Sequence, residues 1–296
     1  MKFKREELHF HLMLLPGMCC LAVFSLYPMF GAAIAFKKFL PSKGIWGSPW
    51  VGFEHFTYMF QISDSKEVLF NTIFIALMKV IANLVVPLLF ALMLHEVRVR
   101  MLKRWVQTIV YLPHFLSWVL LGSILIELLS GNGMVNQVLG WFGIKPIYFL
   151  GSNAWFPWVL VGSDVWKEFG FAAIIYLAAL TAINPSLYEA ASVDGVTRLQ
   201  RLRHVTLPGI LTTIILLSTL SLGNILNAGF EQILNLYNPL VYASGDVIDT
   251  YVYRVGLVQT QYGLASAVGL MKSFVSFILI VLSYTLAARF ANYRVF

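Results

Sequence analysis

Asp164, Lys167 and Glu168 stand three and four residues apart in an otherwise apolar run. Helical spacing puts them on one face. Lys79 and Asn83 are four apart in a second apolar run, Asn224 and Asn227 three apart in a third, and Lys272 lies in a fourth. Ammonium, carboxylate and amide groups in such surroundings can line a watery path, carry an ion, or tie helices together. Chemistry at a covalent bond is not indicated. No nucleophile–base pair, HExxH or CxxC set is present. Gly269-Leu270-Met271-Lys272-Ser273 has a faint likeness to a phosphate loop, but the glycine before the lysine and the one five residues earlier are missing. The two cysteines, Cys19 and Cys20, are neighbours. They are expected neither to bridge each other nor to bind metal. His95 and His114 stand alone in the sequence, so no catalytic and no metal-binding residue is expected.

The elements that must position these groups are membrane spans. Of 296 residues, 59% are hydrophobic and 12% charged, against about 25% charged in a soluble domain. Mean hydropathy is +0.77. This excludes a disordered chain, a coiled coil and an ordinary cytosolic enzyme. Six apolar runs follow: Leu12 to Phe36, Asn71 to Leu94, Val106 to Leu129, Trp155 to Leu180, Pro208 to Phe230 and Ser266 to Ala288. Each reaches the roughly 20 residues a span needs. The first is expected to be retained, with Pro28 inside it as a site for a kink. The fold class expected is an all-α integral membrane protein with six transmembrane helices.

The net charge of +7 reports orientation rather than nucleic-acid binding, because the basic residues sit in short loops. Twelve Lys and Arg fall in the N-terminus, the loops after spans two and four, and the C-terminal tail, and six fall in the opposite loops. Both termini are therefore expected in the cytoplasm. Trp46, Trp50, Trp155 and Trp158 cluster where the outer interface is placed. One transmembrane domain, 1–296, is expected: a first span at 12–36, an external loop at 37–65, and a five-span core at 66–288. At about 1.5 Å per residue, Lys79 lies roughly 12 Å, Lys272 roughly 9 Å and Asn227 roughly 5 Å below their outer ends. On the same scale Asn224 lies roughly 9 Å down, and Asp164 to Glu168 roughly 13–20 Å. A polar layer at one depth reads as a water-filled cavity between helices. Helix–helix glue, with Asp164 and Lys167 paired to each other, is the alternative.

The cytoplasmic loop 183–208 reads INPSLYEAASVDGVTRLQRLRHVTLP. Asn184 suits an N-cap and Pro185 the first helical position. Asp194-Gly195 is a stop with a left-handed glycine, and Thr197 to Gln200 has the spacing of a capping box. Pro208 is expected to end the second short helix and start span five.

Glu189-Ala190-Ala191, then Asp194-Gly195, then Leu207-Pro208, resemble the EAA loop of permease subunits of binding-protein-dependent ABC importers. Val196 and Leu202 are minor departures from that pattern. The segments Asn235 to Pro239 and Asp246 to Arg254 look like the last external loop of the polysaccharide-type, maltose-permease-like branch. The resemblance implies a type I importer permease fold in a bacterial cell membrane. It implies a second homologous permease subunit, two cytoplasmic ATPase subunits, and an extracellular or periplasmic solute-binding protein. ATP and Mg would belong to the ATPase, with no cofactor in this chain. The cargo would be an oligosaccharide or polysaccharide fragment, and lipid the solvent. Glu189 and its neighbours would dock on the ATPase. Lys79, Asp164, Trp166, Lys167, Glu168, Phe169, Phe171, Asn224, Asn227 and Lys272 would be candidates for the substrate path. Asn238, Asp246, Asp249, Tyr251, Tyr253 and Arg254 would be candidates for an external gate or binding-protein contact. An ion-coupled secondary transporter is the alternative; its support is the buried charge, and against it stand a single six-span unit without an inverted repeat and the EAA loop. A membrane-embedded enzyme lacks a catalytic arrangement.

Overall fold

The computed structural model describes residues 5–223 and 225–291. Among them there is no β-strand, only an isolated antiparallel bridge between Lys37 and Trp50. The principal helices are α1 (Arg5–Leu21), α2 (Glu54–Gln61), α3 (Ser63–Glu96), α4 (Arg100–Tyr111), α5 (Trp118–Leu128), α6 (Met134–Trp141) and α7 (Phe156–Thr181). They continue with α8 (Pro185–Val193), α9 (Arg198–Arg201), α10 (Leu207–Gly223), α11 (Phe230–Leu236), α12 (Ile248–Tyr253) and α13 (Tyr262–Ala291).

Four helical stretches are long and apolar enough to cross a membrane: His9–Phe36, Asp64–Glu96, Arg198–Gly223 and Tyr262–Thr285. Two bent pairs raise the number to as many as six. One joins α7 to α8 across a 68° bend, and the other joins Arg100–Phe115 to α5 across a 104° bend. The second pair breaks the expected span from Val106 to Leu129 near its middle. Leu112–Phe115 is a 3₁₀ turn containing Pro113, which can neither donate to nor pack against a preceding helical turn. Ser117 then caps a new helix by accepting from the Leu120 amide at 3.3 Å.

Proline shapes the spans in a second way. In the π turn Ala22–Leu26, the Tyr27 amide bonds back to Ala22, and Pro28 follows. In the π turn Leu202–Thr206, the Leu207 amide bonds back to Leu202, and Pro208 follows. A π turn widens the helix just where a proline ring would press on the preceding turn. The helix therefore runs through Pro208, from Arg198 to Gly223, where a stop had been expected. It ends at Gly223 rather than Phe230. Asn227 consequently lies in a non-helical segment, and its depth on a straight helix does not apply.

The chain divides into two compact units. One draws on the N-terminal stretch to Ser63 and on Tyr251–Lys272. Within it Phe36 is a ring hub, stacked on Trp50 at 5.6 Å and touching Phe53 at 5.5 Å and Phe56 at 5.3 Å. Lys37 Nζ donates to the Ile45 carbonyl at 2.9 Å, closing the loop between them.

The other unit draws on Asp64–Thr250 and the chain from Ser273 onward. It holds two apolar cores. The first joins Ile75 and Ala76 of α3, Phe156 and Leu160 of α7, and Ile233 and Leu236 of α11. The second joins Ala91 and Leu94 of α3, Ala173, Tyr176 and Leu180 of α7, and Ile210 of α10. Lipid is as apolar as these side chains, so close packing rather than water exclusion drives such contacts. Gly170 shows it: any Cβ there would run into the Val110 backbone, so α4 and α7 touch main chain to main chain. Between the two cores, midway along α3 and α7, sit the polar side chains.

Candidate functional site

α3 brings Lys79 and Asn83, one turn apart, against Asp164 of α7. Lys79 Nζ lies 3.2 Å from Asp164 Oδ1, and the two side chains are 7% and 17% exposed. The same ammonium donates to the Ala228 carbonyl at 2.7 Å and to Gln232 Oε1. All three of its protons thus have an acceptor. Asn83 Nδ2 donates to the other Asp164 oxygen at 2.8 Å. Gln232 is fully buried and passes the network on, donating to the Leu160 carbonyl at 2.8 Å and Ser163 Oγ at 2.7 Å. A buried charge is tolerated only when paired and hydrogen-bonded, and this arrangement meets both conditions. Gly229, at φ +94, makes the sharp turn that delivers Ala228 and Gln232 to Lys79. A Cβ there would come within 2.7 Å of Lys79 Nζ.

One turn further along α7, Glu168 Oε2 lies 2.8 Å from His114 Nδ1, and its Oε1 lies 3.2 Å from Lys167 Nζ. Lys167 also donates to the His114 carbonyl at 2.8 Å. His114 belongs to the 3₁₀ turn that breaks α4 from α5, so this cluster pins the break to α7. His114 does not stand alone, as its sequence position had suggested. Nor does Asp164 pair with Lys167: each has a different partner.

These groups border a cavity of about 630 Å³, within the roughly 300–1,000 Å³ range of small-molecule sites. Lys79, Asn83, Asp164, Glu168, Ser221 and Asn227 supply its polar lining, and Tyr176 and Leu217 part of the rest. Asn83 Oδ1 is buried beside it with no hydrogen-bond partner among the described residues. Four expected path residues therefore meet here: Lys79, Asp164, Glu168 and Asn227. Others are not among the lining residues. Lys167 is buried below the surface, with Nζ also 5.7 Å over the Trp118 ring. Phe169 packs edge-on against Phe90 at 5.2 Å, and Phe171 stacks on His114 at 4.1 Å. Trp166 is exposed, and Lys272 lies on α13 in the other unit. Asn224 lies outside the described residues.

α7 leads directly into the loop. Asn184 Oδ1 accepts from the Ser186 amide at 3.0 Å and starts α8. Gly195 stands at φ +68. Thr197 and Gln200 form a complete capping box on α9. Glu189 and Ala190 are exposed, with Leu187 and Val193 beside them, while Ala191 faces inward. Asp194 caps α8 through its amide, and Leu207 and Pro208 open α10. Behind the loop, Tyr188 Oη lies 3.2 Å from Thr206 Oγ1, and Arg201 pairs with Glu96 at 3.2 Å.

The segment from Asn238 to Thr250 is tied down at several points. Asn238 donates to the Leu150 carbonyl at 2.9 Å and accepts from the Leu240 amide at 3.0 Å. Asp246 is buried and accepts from Thr250 Oγ1 at 2.6 Å. Asn71 Nδ2 holds the Ala243 carbonyl at 2.9 Å. Asp249 is half-buried. In the other unit, Arg254 lies 5.4 Å over the Tyr251 ring, Tyr251 is buried, and Tyr253 is half-buried.

Sequence reasoning missed Gln232, Ser163, Tyr176 and the Ala228 carbonyl. Gln232 fell just beyond the apolar run that ended at Phe230, and only the turn at Gly229 returns it to the interior.

Residues 83–292 match the model of the family described as binding-protein-dependent transport system inner membrane component. The chain is 40% identical to the polygalacturonan/rhamnogalacturonan transport system permease protein YteP of Bacillus subtilis (strain 168), over 97% of this chain and 90% of that one. It resembles a chain in the crystal structure of a bacterial ABC transporter involved in the import of the acidic polysaccharide alginate, with TM-score 0.90, 39% identity and 97% of each chain covered. A further structure, of a bacterial alginate ABC transporter in complex with an alginate pentasaccharide-bound periplasmic protein, matches with TM-score 0.88, 38% identity and 96% of each chain covered.

Proposed function

Because the chain belongs to the family of binding-protein-dependent transport system inner membrane components, we propose that it forms part of the membrane path of an ATP-driven importer of oligosaccharides or polysaccharide fragments. It is a multi-pass protein of the bacterial inner membrane. The four long helical stretches, the bent pair of Arg100–Phe115 with α5, and α7 count as the spans, which gives six with both termini in the cytoplasm and leaves α8 in the cytoplasmic loop. The core at 66–288 carries the transport machinery, and the span at 12–36 with its loop at 37–65 is an appendage to it. The chain has no catalysis of its own. A partner ATPase holds ATP and Mg, a second homologous permease completes the path, and a binding protein delivers cargo from outside.

The observation that carries this reading is continuity. α7 holds Asp164 and Glu168 at the polar cavity and bends straight into α8. At the other end of the loop, α9 runs on into α10, which lines the same cavity through Leu217 and Ser221. A push on the exposed face of α8, around Glu189, therefore moves both helices that border the cavity. Closure of two ATPase subunits on ATP supplies such a push, and hydrolysis releases it. Asn227, Ser221 and the free Asn83 oxygen offer hydrogen-bond partners to sugar hydroxyls. Trp166 and Phe171, exposed in this chain, offer ring faces toward a second permease. Asn238, Asp246 and Asp249 in one unit, and Tyr251, Tyr253 and Arg254 in the other, are the candidates for the outer gate or the binding-protein contact.

Copurification tests the assembly. A tagged chain extracted in mild detergent at native abundance is expected to bring with it a second permease and an ATPase. Glu189→Lys is expected to lose the ATPase and keep the permease partner. A homo-oligomer without an ATPase would overturn the reading.

A further inference from the structure

A second cavity, of about 380 Å³, opens where the end of α3 meets α9 and the π turn behind it. Its lining combines two chemistries. Leu92, Met93, Leu199 and Leu202 supply its apolar lining, and Arg198, Arg201 and Glu96 its charged groups, with His95 and Thr206 completing it. Arg201 is already engaged, 3.2 and 3.4 Å from the two Glu96 oxygens and 5.9 Å over the Tyr188 ring. The Arg198 side chain makes no hydrogen bond or ion pair among the described residues. Two guanidinium groups against one carboxylate leave the cavity with one uncompensated positive charge. Glu96 is the last residue of a membrane-crossing helix, and Arg98, Arg100, Lys103 and Arg104 follow at once. The cavity therefore sits at the level where a bilayer's apolar core gives way to its headgroups, on the basic side of the protein.

A largely apolar pocket edged by an unpaired guanidinium at that depth matches an anionic amphiphile better than a soluble ion or an apolar helix. We propose that this cavity binds the phosphate of an anionic phospholipid, with Arg198 as its ligand and Leu92, Met93 and Leu202 against the first carbons of an acyl chain. The bound lipid, headgroup on Arg198 and acyl chain on Leu92 and Met93, then bridges the end of α3 to α9 and braces the loop that α8 and α9 form. Lipid composition on that side thereby sets how firmly the loop is held when it is pushed.

The test uses the purified complex in nanodiscs of phosphatidylcholine with or without phosphatidylglycerol, with retained lipid counted by native mass spectrometry. Phosphatidylglycerol is expected to stay bound to the wild type and to bind about fivefold more weakly to Arg198→Gln. Arg198→Lys, which keeps the charge, is expected to restore most of the binding, and Lys145→Gln, an exposed change elsewhere, to leave it intact. Competition by inorganic phosphate alone would assign the phosphate site to a free ion and overturn the lipid. Equal retention by wild type and Arg198→Gln would overturn the site. Loss of the ATPase subunit from Arg198→Gln with lipid unchanged would assign the pocket to the partner protein instead.

Discussion

Replacing Lys79 by alanine is expected to destabilise the chain by about 3 kcal/mol and to abolish transport. The ammonium serves Asp164, the Ala228 carbonyl and Gln232 at once. Its removal leaves the Ala228 carbonyl and the Gln232 amide oxygen without that donor, and the Asp164 carboxylate with Asn83 as its one remaining donor among the described residues. Breaking a buried pair by removing one partner costs about 3–5 kcal/mol. The cavity beside Asp164 admits some water, which favours the lower end. The loss is asymmetric. Asp164→Ala leaves the ammonium with two acceptors, so it is expected to cost less than Lys79→Ala. A double variant, Lys79→Leu with Asp164→Leu, is expected to be more stable than Lys79→Ala, because no charge is left buried without a partner. Thermal unfolding of the three variants in one detergent decides the matter. Equal losses for both single changes, with a double variant no more stable than Lys79→Ala, would mean that the pair does not organise the site.

Gly195→Val is expected to cut uptake about tenfold while the protein still reaches the membrane. At φ +68 the backbone occupies the left-handed region, where a side-chain-bearing residue pays about 1–2 kcal/mol and a β-branched one more. No heavy atom lies within 4 Å of a Cβ built at this position, so the effect is conformational and not a clash. Gly195→Asn is therefore expected to keep most of the uptake, since asparagine visits this region readily. The turn sets the angle between α8 and α9, hence where Glu189 meets the ATPase. ATP hydrolysis that continues without uptake in Gly195→Val is the expected signature. Equal behaviour of the valine and asparagine variants would show that the turn geometry is irrelevant to coupling.

The loop was readable because its instructions are local. Asn184 reaches two residues forward, Thr197 three, and Gly195 needs only its own φ. The polar layer was readable in part, because charges in lipid are expensive enough to be noticed one at a time. Their partners were not. Lys79 meets Gln232 across 153 positions, and His114 meets Glu168 across 54. No periodicity announces such pairs in helices that are apolar on every side, since lipid and protein interior make the same demand of a side chain. The break at Pro113 was hidden for a similar reason. An apolar run looks the same whether it crosses the membrane straight or turns by 104°. Pro208 misled in the opposite direction, because a π turn before it lets the helix continue.

Uptake by the copurified complex in proteoliposomes tests the central claim most directly. A labelled oligosaccharide would be presented by its binding protein, with ATP supplied on the side of the Glu189 loop. Entry is expected to require both ATP and the binding protein, and to persist when ionophores collapse every ion gradient. Entry that proceeds without ATP and stops with the ionophores would contradict the account and make the buried charges those of an ion-coupled carrier.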